Sequence, residues 1–368
     1  MQASADSNTS YRYLKFGKYL ACLDQTVLSA YRSLGQGFER NKLGSIGIPK
    51  SAARKAIKAV IRDRLLRSKS DDLVELPAFG NIGMQVHRGW KLFDFERQEV
   101  TKVFAPGTDA AIATAEASAS KQASQIEAAP RFIAEDAGQA WYREEYICGV
   151  HATDPEFRST AAIPDFYPDV EKCLLDLVGC AAPVRVDAVD HFKQLASSSF
   201  RDRWSDSGQD GQIIDEISTY AGELREWLTR STPDQLQLVL THGDFSLVNA
   251  ISTATGLRFI DWEGVSAGGL YTDIFNFVFA EKYYDRAPGD WSAEMSAFID
   301  AYRGAALVRF PELRAAAEID PAFARRQYYL ERLSLMLDRS VSTNLSNVVG
   351  KSINMFREFD RDAGDVGV

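Results

Sequence analysis

The chain has 368 residues, of which 45% are hydrophobic, 25% charged and 11% aromatic, the make-up of a protein that buries a core rather than of a disordered one. Its 42 basic and 51 acidic side chains leave a formal charge of −9, unevenly spread: residues 1–70 hold 14 basic and 4 acidic groups, the remainder 28 and 47. An acidic main body excludes a nucleic-acid binder, whose phosphate partner needs a positive surface, and favours cations or amine-bearing ligands. No apolar run approaches the roughly 18 residues of a membrane span, and the first ten residues lack the basic and apolar regions of a secretory leader. Four cysteines (Cys22, Cys148, Cys173, Cys180) without CxxC spacing and four histidines form no zinc pattern, so a reduced, cytoplasmic setting is expected.

In chain order, residues 11–35 read as a helical lead-in. Pro49 and Ser51 open a second helix through about Lys69, with Ala53, Ile57, Val60, Ile61 and Leu65 at three- and four-residue steps and Arg54, Lys55, Lys58, Arg62 and Lys69 on its other faces. Such a basic amphipathic helix either packs on the main body or lies on an anionic membrane, so residues 51–69 are a candidate peripheral membrane contact. Between Leu73 and Gly149 the texture is that of short strands: 82–87, 90–93 and 100–104, then an Ala-, Ser- and Glu-rich helix over 110–128 stopped by Pro130, then strands 131–133 and 141–147. Beyond residue 150 the pattern is mainly helical, with strands at 236–240 and 257–260, later helices near 292–307 and 321–339, and a frayed end over 360–368.

The stretch that carries chemistry is Thr241-His242-Gly243-Asp244-Phe245-Ser246-Leu247-Val248-Asn249. An apolar strand feeds a loop with a His, an Asp and an Asn, and a second strand delivers Asp261-Trp262-Glu263 twelve residues after Asn249. Phosphoryl transfer needs this set: a carboxylate to accept the nucleophile's proton, and a carboxylate with an amide oxygen to hold Mg²⁺ against a triphosphate.

His242-x-Asp244-x-x-x-x-Asn249 followed by Ile260-Asp261-Trp262-Glu263 resembles the catalytic and metal-binding loops of the aminoglycoside phosphotransferase and choline kinase superfamily. The resemblance covers about residues 75–340 and is specific in this short segment. It implies an α+β, bilobal protein-kinase-like fold: a basic helical extension over 1–72, a small antiparallel-sheet nucleotide lobe with one helix over 73–149, and a larger helical catalytic and acceptor-binding lobe over 150–368. It also implies an ATP- and Mg²⁺-dependent kinase of a small-molecule hydroxyl, such as a saccharide, an aminoglycoside or a choline-like amino alcohol. Asp244 would be the base, Asn249 and Asp261 the metal ligands, and His242 and the later Asp273 braces of the catalytic loop. Glu263 would touch metal-bound water or substrate. Ser246 stands where many members carry a second His or a Pro-containing turn, and Asp261-Trp262-Glu263 replaces the Asp-Phe-Gly of protein kinases. The basic head has no counterpart in compact antibiotic-modifying members, which weighs against a simple resistance enzyme.

The nucleotide lobe of such a kinase needs a lysine on a strand, paired to a helix glutamate. Lys102, within Val100-Thr101-Lys102-Val103-Phe104, and Glu116 on the next helix supply that pair; Glu127 lies too near the helix end. An edge-strand lysine pointing to solvent is the plainer reading of Lys102. Tyr142 to Gly149 resembles the interlobe hinge, where adenine would bond backbone groups near Glu145 and Ile147. The turn covering the phosphates has two candidates, one containing Gly83 and one containing Gly89. Trp262, Tyr283, Tyr284, Tyr328 and Tyr329 would line an acceptor pocket or else pack the core. A non-catalytic nucleotide-binding module docked through the basic head is the alternative function. A metal-dependent hydrolase is weaker, since further His ligands are lacking. Nothing in the sequence bears on oligomeric state.

Overall fold

The computed structural model describes residues 10–16, 19–22, 73–77, 79–80, 82–86, 88–136, 138, 140–154, 157, 163–195, 211–231, 233–285, 291–339 and 345–362. The amphipathic segment 51–69 and residues 363–368 lie outside them. The chain forms two compact units, Met1–Asp169 with Leu247–Gly264, and Val170–Ser246 with Val265–Val368. Asn249 and Asp261 thus belong with Lys102 in the first unit, and Asp244 belongs to the second.

The first unit is built on an antiparallel sheet. Its strands are β1 (Ser10–Phe16), β2 (Tyr19–Cys22), β3 (Leu73–Pro77), β4 (Ile82–Val86), β5 (Gly89–Asp94), β6 (Glu99–Phe104), β7 (Phe132–Asp136) and β8 (Trp141–Glu145), in the spatial order β3-β1-β2-β4-β5-β6-β8-β7. Five of these, β4 to β8, match the strands expected between residues 82 and 147 to within a few residues. The helical lead-in does not form over residues 10–16 and 19–22, which are strands, and the rest of the stretch expected to 35 lies outside the described residues. Tyr13 is buried while its neighbour Arg12 is exposed, as for adjacent residues on opposite faces of a pleated strand. Tyr13 pairs with Cys22 on one side and Val74 on the other. Tyr13, Leu20, Cys22 and Leu76 form one buried cluster with Phe79, Leu92 and Val103, and the Tyr13 hydroxyl donates to the Gly80 carbonyl at 2.8 Å. Part of the basic head therefore extends the sheet.

Helix α1 (Ala110–Ala123) follows β6, capped by Asp109, whose carboxylate accepts from the Ala111 N–H at 2.8 Å. It ends five residues short of the expected Ala128. The Ser124 hydroxyl turns back to the Lys121 carbonyl (2.7 Å), and the chain continues through tight turns to Pro130. Glu116 and Ser120, four residues apart and both buried, share one face of α1. A small sheet of β9 (Val150–His151), β12 (Ala250–Thr253) and β13 (Gly256–Phe259), ordered β13-β12-β9, completes this unit.

The second unit contains the sheet β10 (Val184–Asp187), β11 (Gln235–Thr241) and β14 (Ser266–Gly268), with β11 central. Its helices are α2 (Tyr167–Val178, apart from its first turn), α3 (Ala188–Leu195), α4 (Gly211–Ser231), α5 (Thr272–Asp285), α6 (Trp291–Arg309), α7 (Arg314–Ala317), α8 (Pro321–Arg339) and α9 (Leu345–Asp362). Aromatic rings fill its core: Phe279 lies within 6 Å of Tyr328, Tyr329, Phe356 and Phe359. Tyr328 and Tyr329, offered above as pocket linings, are buried in this packing, and the side chains of Tyr283 and Tyr284 lie outside the described residues. Among the described residues no helix is long and apolar enough to cross a membrane.

Candidate active site

A cavity of about 250 Å³ opens in the first unit. Its apolar walls include Met84, Phe93, Val100, Ile251 and Ile260; Glu144, Glu145, Tyr146 and Ile147 border it, and Lys91, Asn249 and Asp261 form a polar stretch. The expected hinge and metal residues thus line one space. The Glu145 side chain is taken: Arg258 donates to both its oxygens at 3.0 Å and the Arg131 N–H to one at 3.2 Å. The Arg258 hydrogen bonds hold this carboxyl below the usual range against partial burial. A nucleotide base would then meet backbone here, not a carboxylate.

Lys102, on β6, is 1% exposed, which overturns the solvent-pointing alternative. Its ammonium lies 3.4 Å from Glu116 and 2.8 Å from Glu263, so two carboxylates offset the cost of burying a charge. Glu116 is also gripped by Arg88 at 2.9 Å. Arg88 sits in the β4–β5 turn with a left-handed φ of 61°. Gly89 opens β5 against the Val103 carbonyl, where a Cβ would come within 2.0 Å. Gly83 is different: it lies inside β4, paired with Leu92, and a Cβ there would strike Leu92 and Leu20. It serves sheet packing and is not part of a turn, leaving Gly89 as the turn candidate.

Asp261 and Glu263 flank Trp262, which is 2% exposed and donates its indole N–H to the Phe259 carbonyl at 2.6 Å. Trp262 is therefore an anchor and not a pocket wall. Asp261 holds a left-handed φ of 63°, a conformation that a short polar side chain tolerates and that recurs at functional sites. Ile260 N–H donates to the Asn249 carbonyl at 2.8 Å, tying the two metal-candidate segments together.

Lys91 was not singled out in the sequence. Its ammonium is ion-paired with Asp261 and buried. Burial alone would lower its pKa, but Asp261, Glu263 and Glu144 together outweigh that and hold it raised. Glu144 is pushed up by burial, opposed by Lys91 and by the Ser120 hydroxyl at 2.8 Å. Burial also acts on Glu263, but Lys91 and Lys102 more than offset it and lower its pKa.

In the second unit the loop after β11 is held from beneath. Asp273, in the first turn of α5, accepts the backbone N–H groups of His242 (2.6 Å) and Gly243 (3.0 Å). The buried His242 ring accepts from the Asp244 N–H at 3.3 Å, and Asn276 donates to the Phe245 carbonyl at 2.9 Å. Gly243 takes a φ of 77°, open to glycine. Arg332 of α8, also unforeseen, donates to the Gly243 carbonyl (3.1 Å) and to the Asp244 carboxylate (3.0 Å). His242 and Asp273 thus engage loop backbone, while Asp244 is half-buried with its carboxylate on a guanidinium.

Comparison with known proteins places the chain in a class. Residues 94–319 match the model of the phosphotransferase enzyme family, more than half the chain, and the protein belongs to that family. Its fold is similar to that of a choline kinase from Cryptosporidium parvum (16% identity, 73% of this chain and 84% of that one, TM-score 0.52). An ethanolamine kinase from Plasmodium vivax is alike to a similar degree (15% identity, 75% and 80%, TM-score 0.50). No curated protein matches the sequence. The resemblance seen in the sequence therefore holds for family and for fold class, an α+β kinase-like fold.

Proposed function

We propose that the protein transfers the γ-phosphate of ATP to a hydroxyl of a small molecule. The observation that carries this reading is that Asn249 and Asp261 line one cavity in the same unit that holds the buried Lys102–Glu116 pair. The apolar walls at Phe93 and Val100 suit an adenine ring, and the Glu145–Ile147 backbone supplies its hydrogen bonds. Among the described residues no group of three or more His, Cys, Asp or Glu could hold a metal ion. One carboxylate and one amide oxygen nevertheless fit Mg²⁺, which takes one or two protein carboxylates and completes its shell with phosphates and water. Asn249 and Asp261 would hold it, and the ion would neutralise charge on the β- and γ-phosphates.

Lys102, kept in place by Glu116 and Glu263, offsets negative charge on the phosphates. Asp244 orients the acceptor hydroxyl and takes its proton. His242 and Asp273 fix the loop carrying Asp244, which supports the reaction through positioning. Choline, ethanolamine and sugars are the acceptors to try first. The test is ADP release across a panel of hydroxyl compounds with Mg²⁺, using Asp244→Asn as the blank. Acceptor-dependent release by the wild type alone supports the proposal; acceptor-independent release, or none with any compound, contradicts it.

A further inference from the structure

Lys91 and Lys102 stand directly opposite each other on β5 and β6. Like charges in that position repel, and here both ammonium groups are also buried. Sheet packing alone would place apolar residues at such a pair, as it does two pairs along on the same face, where Phe93 faces Val100. The lysines are kept by carboxylates: Lys102 pairs with Glu116 and Glu263, and Lys91 pairs with Asp261, with Glu263 and Glu144 also acting on it. Of the two, Lys91 is the one that borders the cavity. It lies along β5 from Phe93 toward the Arg88–Gly89 turn, hence beyond the apolar end suited to a base.

From this geometry we infer that Lys91 is a second phosphate-binding group, held on Asp261 until a divalent ion displaces it toward the nucleotide. The inference rests on the kinase reading above. Asp261 cannot serve the Lys91 ammonium and a metal ion equally, so the two cations compete for one carboxylate. Once Asp261 is occupied, a buried ammonium needs another anion, and the phosphates of a nucleotide in the same cavity are the available one. Lys91 thus links the order of events: metal without nucleotide is disfavoured, and metal with nucleotide is favoured.

The test uses Lys91→Met in the full chain, with Mn²⁺ binding followed by electron paramagnetic resonance and nucleotide binding by calorimetry. The variant is expected to bind Mn²⁺ without nucleotide at least about tenfold more tightly than the wild type, because the competing charge is gone. It should bind Mg²⁺·ADP about tenfold more weakly, with adenosine affinity within about twofold, since only phosphate contacts are lost. Unchanged or weaker Mn²⁺ binding, or equal losses for ADP and adenosine, overturns the inference. Lys91→Gln, which keeps a donor toward Asp261, carries the same comparison if the methionine variant does not fold. A wild type that binds neither Mn²⁺ nor nucleotide overturns the kinase reading and this inference together. A wild type that binds both but is matched by Lys91→Met and Lys91→Gln overturns this inference alone.

Discussion

The carboxylate of Asp273 receives the backbone N–H groups of two successive residues, His242 and Gly243, from a position in which its own side chain is buried. Burial raises its pKa to about 7, with Glu331 and Asp244 adding to the rise and the two hydrogen bonds opposing it. The loop that carries the proposed base is therefore mounted on a group that titrates near neutrality.

That gives a pH dependence with a definite sign. The unfolded carboxyl titrates near 4 and the folded one near 7, so between these values the folded state binds more protons and stability falls as pH rises. Above about 7 the contribution is level. Glu144, also raised by burial, acts in the same direction. Melting temperatures of the wild type should decline from pH 4 toward 7, and Asp273→Asn should show a shallower decline. Identical slopes would remove Asp273 as the cause.

Lys102→Met should lower kcat/KM by about 10²-fold or more, as loss of a preorganised charge at the phosphates does. It should also destabilise the fold by about 3 kcal/mol, because the buried Glu116, left with Arg88 alone, and the partly buried Glu263 lose their shared cation. Steady-state kinetics and urea unfolding separate the two effects. A fully active, fully stable variant would remove Lys102 from both roles.

At Asp244 the loss is expected in turnover and not in nucleotide binding. Asp244→Asn should lower kcat by about 10²–10⁴-fold, the range for a removed general base, with ADP affinity unchanged. Arg332→Ala frees the Gly243 carbonyl and the Asp244 carboxylate at once. It should lower kcat by about tenfold through misplacement of Asp244. ADP affinity that falls along with kcat in Asp244→Asn would contradict this division.

The N-terminal strands make a prediction about stability alone. Tyr13 is fully buried against Leu20, Leu76 and Leu92, so Tyr13→Ala should cost about 3–5 kcal/mol, as for other large aromatics cut to alanine in a core. Arg12→Ala, on the exposed face of the same strand, should cost less than about 0.5 kcal/mol. Equal effects at the two positions would argue against the β1 register.

How much of this was legible in the sequence depended on the range of the forces involved. Local patterning carried β4 to β8 and the helix over 321–339: β5 and β6 are short apolar runs bounded by turn residues and buried along most of their length, and β7 and β8 alternate in burial. The Lys102–Glu116 contact was reachable because the resemblance supplied a template of strand then helix. Residues 11–16 and 19–22 misled because aromatic and basic residues are compatible with either period in so short a stretch; β1 is paired with β3, more than fifty residues away. Lys91 gave no signal at all. It is a single lysine between Trp90 and Leu92, and its partner Asp261 is 170 residues on. Arg332 is hidden in the same way, one arginine among several on a helix, joined to Asp244 by folding. Gly83 shows the converse: a glycine near a turn invites a phosphate role, but the close approach of Leu20 and Leu92 explains it.

The most direct measurement of the central claim is calorimetric titration of ATP with and without Mg²⁺, on the wild type and on Asp261→Asn. The account predicts one nucleotide per chain in the wild type, tightened at least about tenfold by Mg²⁺, and loss of that tightening in Asp261→Asn. Nucleotide binding indifferent to Mg²⁺, or strengthened by it equally in both proteins, would contradict a metal-assisted phosphotransferase site at Asn249 and Asp261.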